Sequence, residues 1–152
     1  MATIVKNIQA RINLTQVDTV IDIGNNLLKF YSIKNLHKIN IDPNGSKEDD
    51  IELVSSIKDV QDNIKAKVVT TTIDNLKDVR NILHPDGICV IESDLKLKQI
   101  MKQTELNVFD VNVVGTKLRI FLCHPGSREI HYYIIDEILE NESKDKTQVY
   151  NK

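Results

Sequence analysis

The chain has no tryptophan, and aromatic residues make up only 5% of it. A surface that stacks nucleic-acid bases on aromatic platforms is therefore poorly provided for. Cysteine is scarce too, with Cys89 and Cys123 the only two. Two thiols cannot build the disulfide framework of a small secreted scaffold, and no Cys/His group has zinc spacing, so no metal site is expected. Both cysteines sit in apolar stretches, GICVIE and RIFLCHP, where a thiol is expected to stay reduced, buried and inert. No apolar run approaches the ~20 residues that span a bilayer, so no membrane partner is expected. The opening MATIVKNIQARINL lacks a signal peptide's apolar core and cleavage site, which makes the cytoplasm the expected compartment. A net charge of −2 gives no global electrostatic reason to bind nucleic acid. Lys96, Lys98 and Lys102 read as a solvated helix face rather than as a patch for it.

What is present suits one globular domain. The chain has 152 residues, 41% hydrophobic and 28% charged. A single domain is expected over residues 1–140, followed by a polar, unstructured tail over 141–152. Residues 4–14 carry Ile4, Ile8 and Ile12 at helical spacing. Residues 17–24 form a β-branched run ending in Asp22 and Gly24, expected to be a buried strand and a tight turn. Leu27, Leu28, Tyr31 and Leu36 suggest a helix over 25–36, and further strands are expected at 38–42, 50–57, 66–72 and 88–93. Helices are expected at 73–83, ended by His84-Pro85-Asp86-Gly87, and at 95–104. Residues 107–114 and 117–123, joined by Gly115-Thr116, read as a hairpin. The apolar set from Ile130 to Leu139 must pack on the domain or on another copy of the chain, most simply as a homodimer.

Strands separated by crossovers imply a mostly parallel sheet with helices on both faces, and the hairpin adds one antiparallel strand. The expected fold is a three-layer, Rossmann-like α/β sandwich around a seven-stranded sheet. Ligands of such sheets bind beyond the carboxyl ends of the strands, which selects Asp22, Gly24, Asp42, Ser56, Ile57 and Thr70 to Thr72. Asp42 ends the second strand where a carboxylate can accept from the vicinal hydroxyls of a ribose. It can equally open the Asp-Pro-Asn-Gly turn by capping its own backbone. Asp22 can be a structural cap or a cofactor contact, and the threonines can be plain strand residues or line a substrate mouth.

Val20-Ile21-Asp22-Ile23-Gly24 resembles the first motif of the class I S-adenosylmethionine-dependent methyltransferases. Ile39-Asn40-Ile41-Asp42-Pro43 resembles their second-strand motif, and Ile73 to Ile91 resembles their fourth helix running into the fifth strand. The second and third glycines of the family turn are replaced by Asn26 and Leu28, and no Asn/Asp-Pro-Pro-Tyr motif follows the fourth strand. Asn tolerates the left-handed conformation that such a glycine supplies. The resemblance implies S-adenosylmethionine as cofactor. Asp22, Gly24, Asn25 and Asn26 would lie at its methionine end, Asp42 at the ribose, Ser56 and Ile57 at the adenine, and Thr70 and Thr71 facing the methyl group. It implies a small methyltransferase whose acceptor and catalytic residues are unknown. The alternatives are a catalytically inactive methyltransferase-like subunit or interaction module and, more remotely, another nucleotide-binding Rossmann domain that uses NAD through Asp42.

Overall fold

The computed structural model describes residues 3–94 and 96–150, the side chains of 73–75 and 143–150 excepted. Among the described residues seven strands form one sheet: β1 (Thr19–Ile23), β2 (His37–Ile41), β3 (Ile51–Val54), β4 (Ala66–Thr71), β5 (Leu83–Ser93), β6 (Asn107–Val114) and β7 (Lys117–Cys123). Their order is β3-β2-β1-β4-β5-β7-β6. Strand β7 runs antiparallel to both β5 and β6, while β1 to β5 are parallel neighbours. The helices are α1 (Thr3–Gln9), α2 (Val79–Ile82), α3 (Leu97–Thr104) and α4 (Tyr132–Tyr150). The mostly parallel, seven-stranded α/β sheet expected from the sequence is the one observed.

Side chains alternate across a strand, so neighbouring residues enter different cores. Ile21, Ile39, Val69, Cys89 and Ile91 join Val79 of α2, Ile100 of α3 and Ile135 of α4 on one face. Val20, Val68, Ile88 and Phe121 join Val5 and Ile8 of α1 on the other. Each such fully buried Val or Ile contributes ~1.5–3 kcal/mol of transfer free energy. Both faces are apolar because both are covered. That is why these strands read as continuous β-branched runs rather than as strict alternation.

The crossovers are leaner than their spacing suggested. In place of a helix over 25–36, the chain makes a single 3-10 turn at Leu28–Phe30 and then irregular coil. Asn25, Asn26, Ser32 and Asn35 are of residue types that favour turns over helix interiors, and Asn26 and Asn35 adopt positive φ, which no right-handed helix allows. Leu28, Tyr31 and Leu36 are still buried, so the apolar spacing recorded contact with the sheet and not a helical period. Helix α1 ends at Gln9 rather than near residue 14, and β3 spans only Ile51–Val54 of the expected 50–57. The helix before β5 is reduced to a 3-10 segment, Ile73–Asp78, and the single turn of α2.

The His84-Pro85-Asp86-Gly87 segment does end that helix, but it belongs to β5 as a bulge opposite β4. A Cβ on Gly87 would meet the carbonyl oxygens of Ala66 and Lys67 at 2.8 and 2.9 Å, so the close approach of the two strands needs glycine there. Helix α3 begins at Leu97, and Leu95, where a helix was expected to start, lies outside the described residues. Helix α4 continues to Tyr150 through the stretch expected to be an unstructured tail. It is tied to the domain by Ile135, which is buried, and by Glu142, whose carboxylate accepts the Leu97 N–H at 3.0 Å and so caps α3. The apolar segment around Ile130 thus packs on its own domain, although Tyr132, Tyr133 and Ile134 are exposed. Among the described residues no helix is long and apolar enough to cross a membrane, and no cluster of His, Cys, Asp or Glu could hold a metal ion.

Candidate functional site

Strand β1 delivers Asp22 to its carboxyl end with the side chain fully buried. The Thr70 hydroxyl on the adjacent strand β4 donates to Asp22 Oδ1, and the Leu27 N–H donates to Oδ2 at 3.1 Å. The backbone N–H groups of Asn25 and Asn26 also bond this carboxylate. Burial holds its pKa above the ordinary value of 3.8, and the hydrogen bonds from Thr70 and the turn pull the other way. Four donors converging on one carboxylate fold residues 24–27 into a tight turn. Gly24 takes φ +77° and Asn26 takes φ +54° there. Asn26 thus provides the left-handed conformation that glycine would otherwise supply. Tyr31 lies beside this group. Its hydroxyl is buried without a hydrogen-bond partner among the described residues, and burial, helped by the charge of Asp22, raises its pKa.

The turn divides the carboxyl end of the sheet into two clefts. Gly24 and Asn26 line one of about 280 Å³, together with Asn40 and Asp42 of the second strand region. Asn25 and Leu27 line the other, of about 420 Å³, with Thr71, Thr72 and Glu92 from the ends of β4 and β5. Asp42 does two things at once. Its Oδ1 accepts the Asn44 N–H at 2.9 Å, which closes the Asp-Pro-Asn-Gly turn, while its Oδ2 has no partner among the described residues. Leu28 is 3% exposed and packs into the core beneath the turn, so it does not intrude on either cleft.

The expected site residues therefore separate into groups. Gly24, Asn26 and Asp42 come together in the smaller cleft, and Asn25 and Thr71 in the larger. Asp22 and Thr70 are buried between them and act on the shape of the turn. Ser56 and Ile57 stand apart. The Ser56 hydroxyl accepts the Lys58 N–H and caps a 3-10 turn, and Ile57 lines a separate cavity with Val60, Ile64 and Ile82. Sequence reasoning missed Glu92. It is the one charged residue in the apolar run 88–93, and that lone charge at a strand's carboxyl end was the available signal. Behind it the Arg119 Nε and Nη2 donate to Glu92 Oε1 at 2.8 and 2.5 Å, and Arg119 Nη1 donates to Asn7 Oδ1. Arg11 extends the same polar seam, reaching Asp110 Oδ2 at 2.8 Å and Asn112 Oδ1 at 3.1 Å while lying 4.0 Å above the Phe121 ring. These bonds clamp α1 onto the sheet beside the larger cleft, where Ile4 forms part of the wall.

No known family profile matches the sequence, and no curated protein does. The fold has clear relatives among solved structures. A ribosomal protein L11 methylase from Lactobacillus delbrueckii subsp. bulgaricus superposes with a TM-score of 0.59 at 15% identity, over 79% of this chain and 75% of the other. The antibiotic-resistance methyltransferase Kmr gives 0.52 at 14% identity, over 70% and 87% respectively. A precorrin-6y C5,15-methyltransferase from Geobacter metallireducens GS-15 gives 0.52 at 12%, over 77% and 85%. At these identities the likeness is one of fold, and the fold is class I methyltransferase-like.

Proposed function

We propose that this chain, with its class I methyltransferase-like fold, is a small S-adenosylmethionine-dependent methyltransferase. One observation carries the reading. The left-handed turn at the end of β1 separates a cleft that presents Asp42 from a cleft that presents Thr71 and Glu92. The residues present leave room for the cofactor. A Cβ built on Gly24 would meet only Thr72 Cγ2, at 3.6 Å, and one oxygen of Asp42 is uncommitted. Asp42 would accept from the ribose hydroxyls, and Gly24 and Asn26 would lie along the nucleoside. Asn40 and Ser46, which line the same cleft, would take the place of Ser56 and Ile57 beside the base. Asn25 and Thr71 would face the reactive end. When bound, the cofactor supplies a methyl group on a sulfonium, and its transfer needs chiefly proximity and alignment. The chain's own part is to hold the turn through Asp22, to bind the ribose through Asp42, and to exclude water with Ile4 and Leu27.

Calorimetric titration with S-adenosylmethionine and S-adenosylhomocysteine tests this. Binding is expected, and Asp42→Ala should weaken it at least tenfold, since a hydrogen bond to a charged group contributes ~1.5–3 kcal/mol. No heat at millimolar ligand would remove the reading. It would leave the catalytically inactive subunit, which one observation favours: the N–H groups of Asn25, Asn26 and Leu27 are already spent on Asp22.

A further inference from the structure

We propose that the larger cleft is a site for a small amine with an apolar body, and that Glu92 is the carboxylate that recognises it. Only the role of this amine as the methyl acceptor rests on the methyltransferase reading. Glu92 is the sole charged group among the described residues that line the cleft. Its partner Arg119 lies beneath, with a side chain 8% exposed against 37% for Glu92. Both bonds from Arg119 to Glu92 go to Oε1, and the remaining guanidinium nitrogen is taken by Asn7. The cation is thus spent on orienting the carboxylate, and Oε2 is left for a ligand. Thr71 points the same way chemically. Its hydroxyl proton is committed to the Thr72 carbonyl at 3.1 Å, so toward the cleft it offers lone pairs only.

The Asn25 amide and the Thr72 hydroxyl can each donate or accept. The polar bias of the wall therefore comes from the acceptor face of Thr71 and the one negative charge of Glu92, which select a ligand head that donates, more strongly if that head is cationic. An anionic head would meet the Glu92 carboxylate with no cation among the described lining residues to balance it. Ile4, Leu27 and Val90 form the rest of the wall, which suits an apolar body behind the head. The cleft of about 420 Å³ has room for a molecule of modest size.

Three probes of one shape test this on the full chain: phenethylamine, phenethyl alcohol and phenylacetate, each titrated by heteronuclear NMR without cofactor. The amine is expected to shift the amides of Asn25, Thr71, Thr72 and Glu92 and to bind at least tenfold more tightly than phenylacetate. Glu92→Gln should weaken the amine at least tenfold and leave the alcohol within twofold. Because this change leaves Arg119 without its counter-charge, a thermal melt accompanies it, and the probe ranking on the unmodified chain decides the matter if the variant does not fold. Equal or tighter phenylacetate binding, or amine shifts that fall elsewhere, overturns the proposal. A failed ranking with intact S-adenosylhomocysteine binding removes the amine site alone. The expected ranking without cofactor binding keeps the amine site and removes methyl transfer.

Discussion

Replacing Asp22 tests the argument at its most buried point. Asp22→Ala removes the acceptor for the Thr70 hydroxyl and for the N–H groups of Leu27, Asn25 and Asn26. The Thr70 hydroxyl and the Leu27 N–H, left unpaired, cost ~1–3 kcal/mol each. The N–H groups of the exposed Asn25 and Asn26 can turn to water, and part of the cost is returned as relieved desolvation of the buried carboxylate. The expected net loss is about 2–4 kcal/mol. With a urea m-value of ~2 kcal/mol/M, the midpoint should fall by about 1–2 M. Far-UV circular dichroism is the suitable probe because the chain has no tryptophan. Asp22→Asn refines the test, since it nearly preserves shape and does not titrate. The folded-state pKa of Asp22 lies above 3.8, so its protonated form is the one that folding favours. Its contribution to stability is therefore fully present below that value and is lost as pH rises through the raised pKa. The stability of the unmodified chain relative to Asp22→Asn should accordingly be greatest at acid pH and decline as pH rises. A difference that is flat with pH, or that grows as pH rises, would refute the assignment of burial as the dominant influence. An Asp22→Ala loss below about 0.5 kcal/mol would refute the role of the carboxylate in holding the turn.

Two further outcomes follow from the same structure. Burial pushes the Cys89 thiol up to about 12 and raises that of Cys123, so neither should react with Ellman's reagent in the native protein at mildly alkaline pH, while both should react after unfolding. Rapid native-state reaction would contradict the packing of β5 or β7. Arg11→Ala should cost ~2–3 kcal/mol, because it breaks the bonds to Asp110 and Asn112 and the stack on Phe121, and it should raise hydrogen exchange first in α1; Arg11→Lys should rescue little. Exchange that rises evenly across the sheet would show that Arg11 does not clamp α1.

The strands were legible because β-branched runs buried on two faces leave a local record. Residues 107–114 and 117–123 are β6 and β7, and Val20, Ile21 and Ile23 occupy β1 as expected. The region 25–36 was misread because Leu28, Tyr31 and Leu36 can reach one apolar surface from irregular coil as well as from a helix. The stretch after residue 140 was misread because its polar composition does not reveal that Glu142 caps a helix 45 residues earlier. In the site, Asp22, Gly24, Asn26 and Asp42 were legible, since a carboxylate and a left-handed turn at a strand's end mark the place where such sheets open. Ser56 and Ile57 were expected at the carboxyl end of the third strand, but β3 stops at Val54 and their own short turn carries them into a different cavity.

The sequence by itself determined the strands, their burial on both faces and the position of the acidic turn after β1. Each of these depends on residue type and near-neighbour spacing. Only the tertiary structure decided that the turn parts two clefts, because that depends on which strand ends lie side by side in the order β1-β4-β5. It also decided that Glu92 faces outward with one oxygen to spare. Its geometry is set by Arg119, 27 residues away on an antiparallel neighbour, and Arg119 is set in turn by Asn7, 112 residues away on α1. Contacts of that separation leave no periodic trace along the chain.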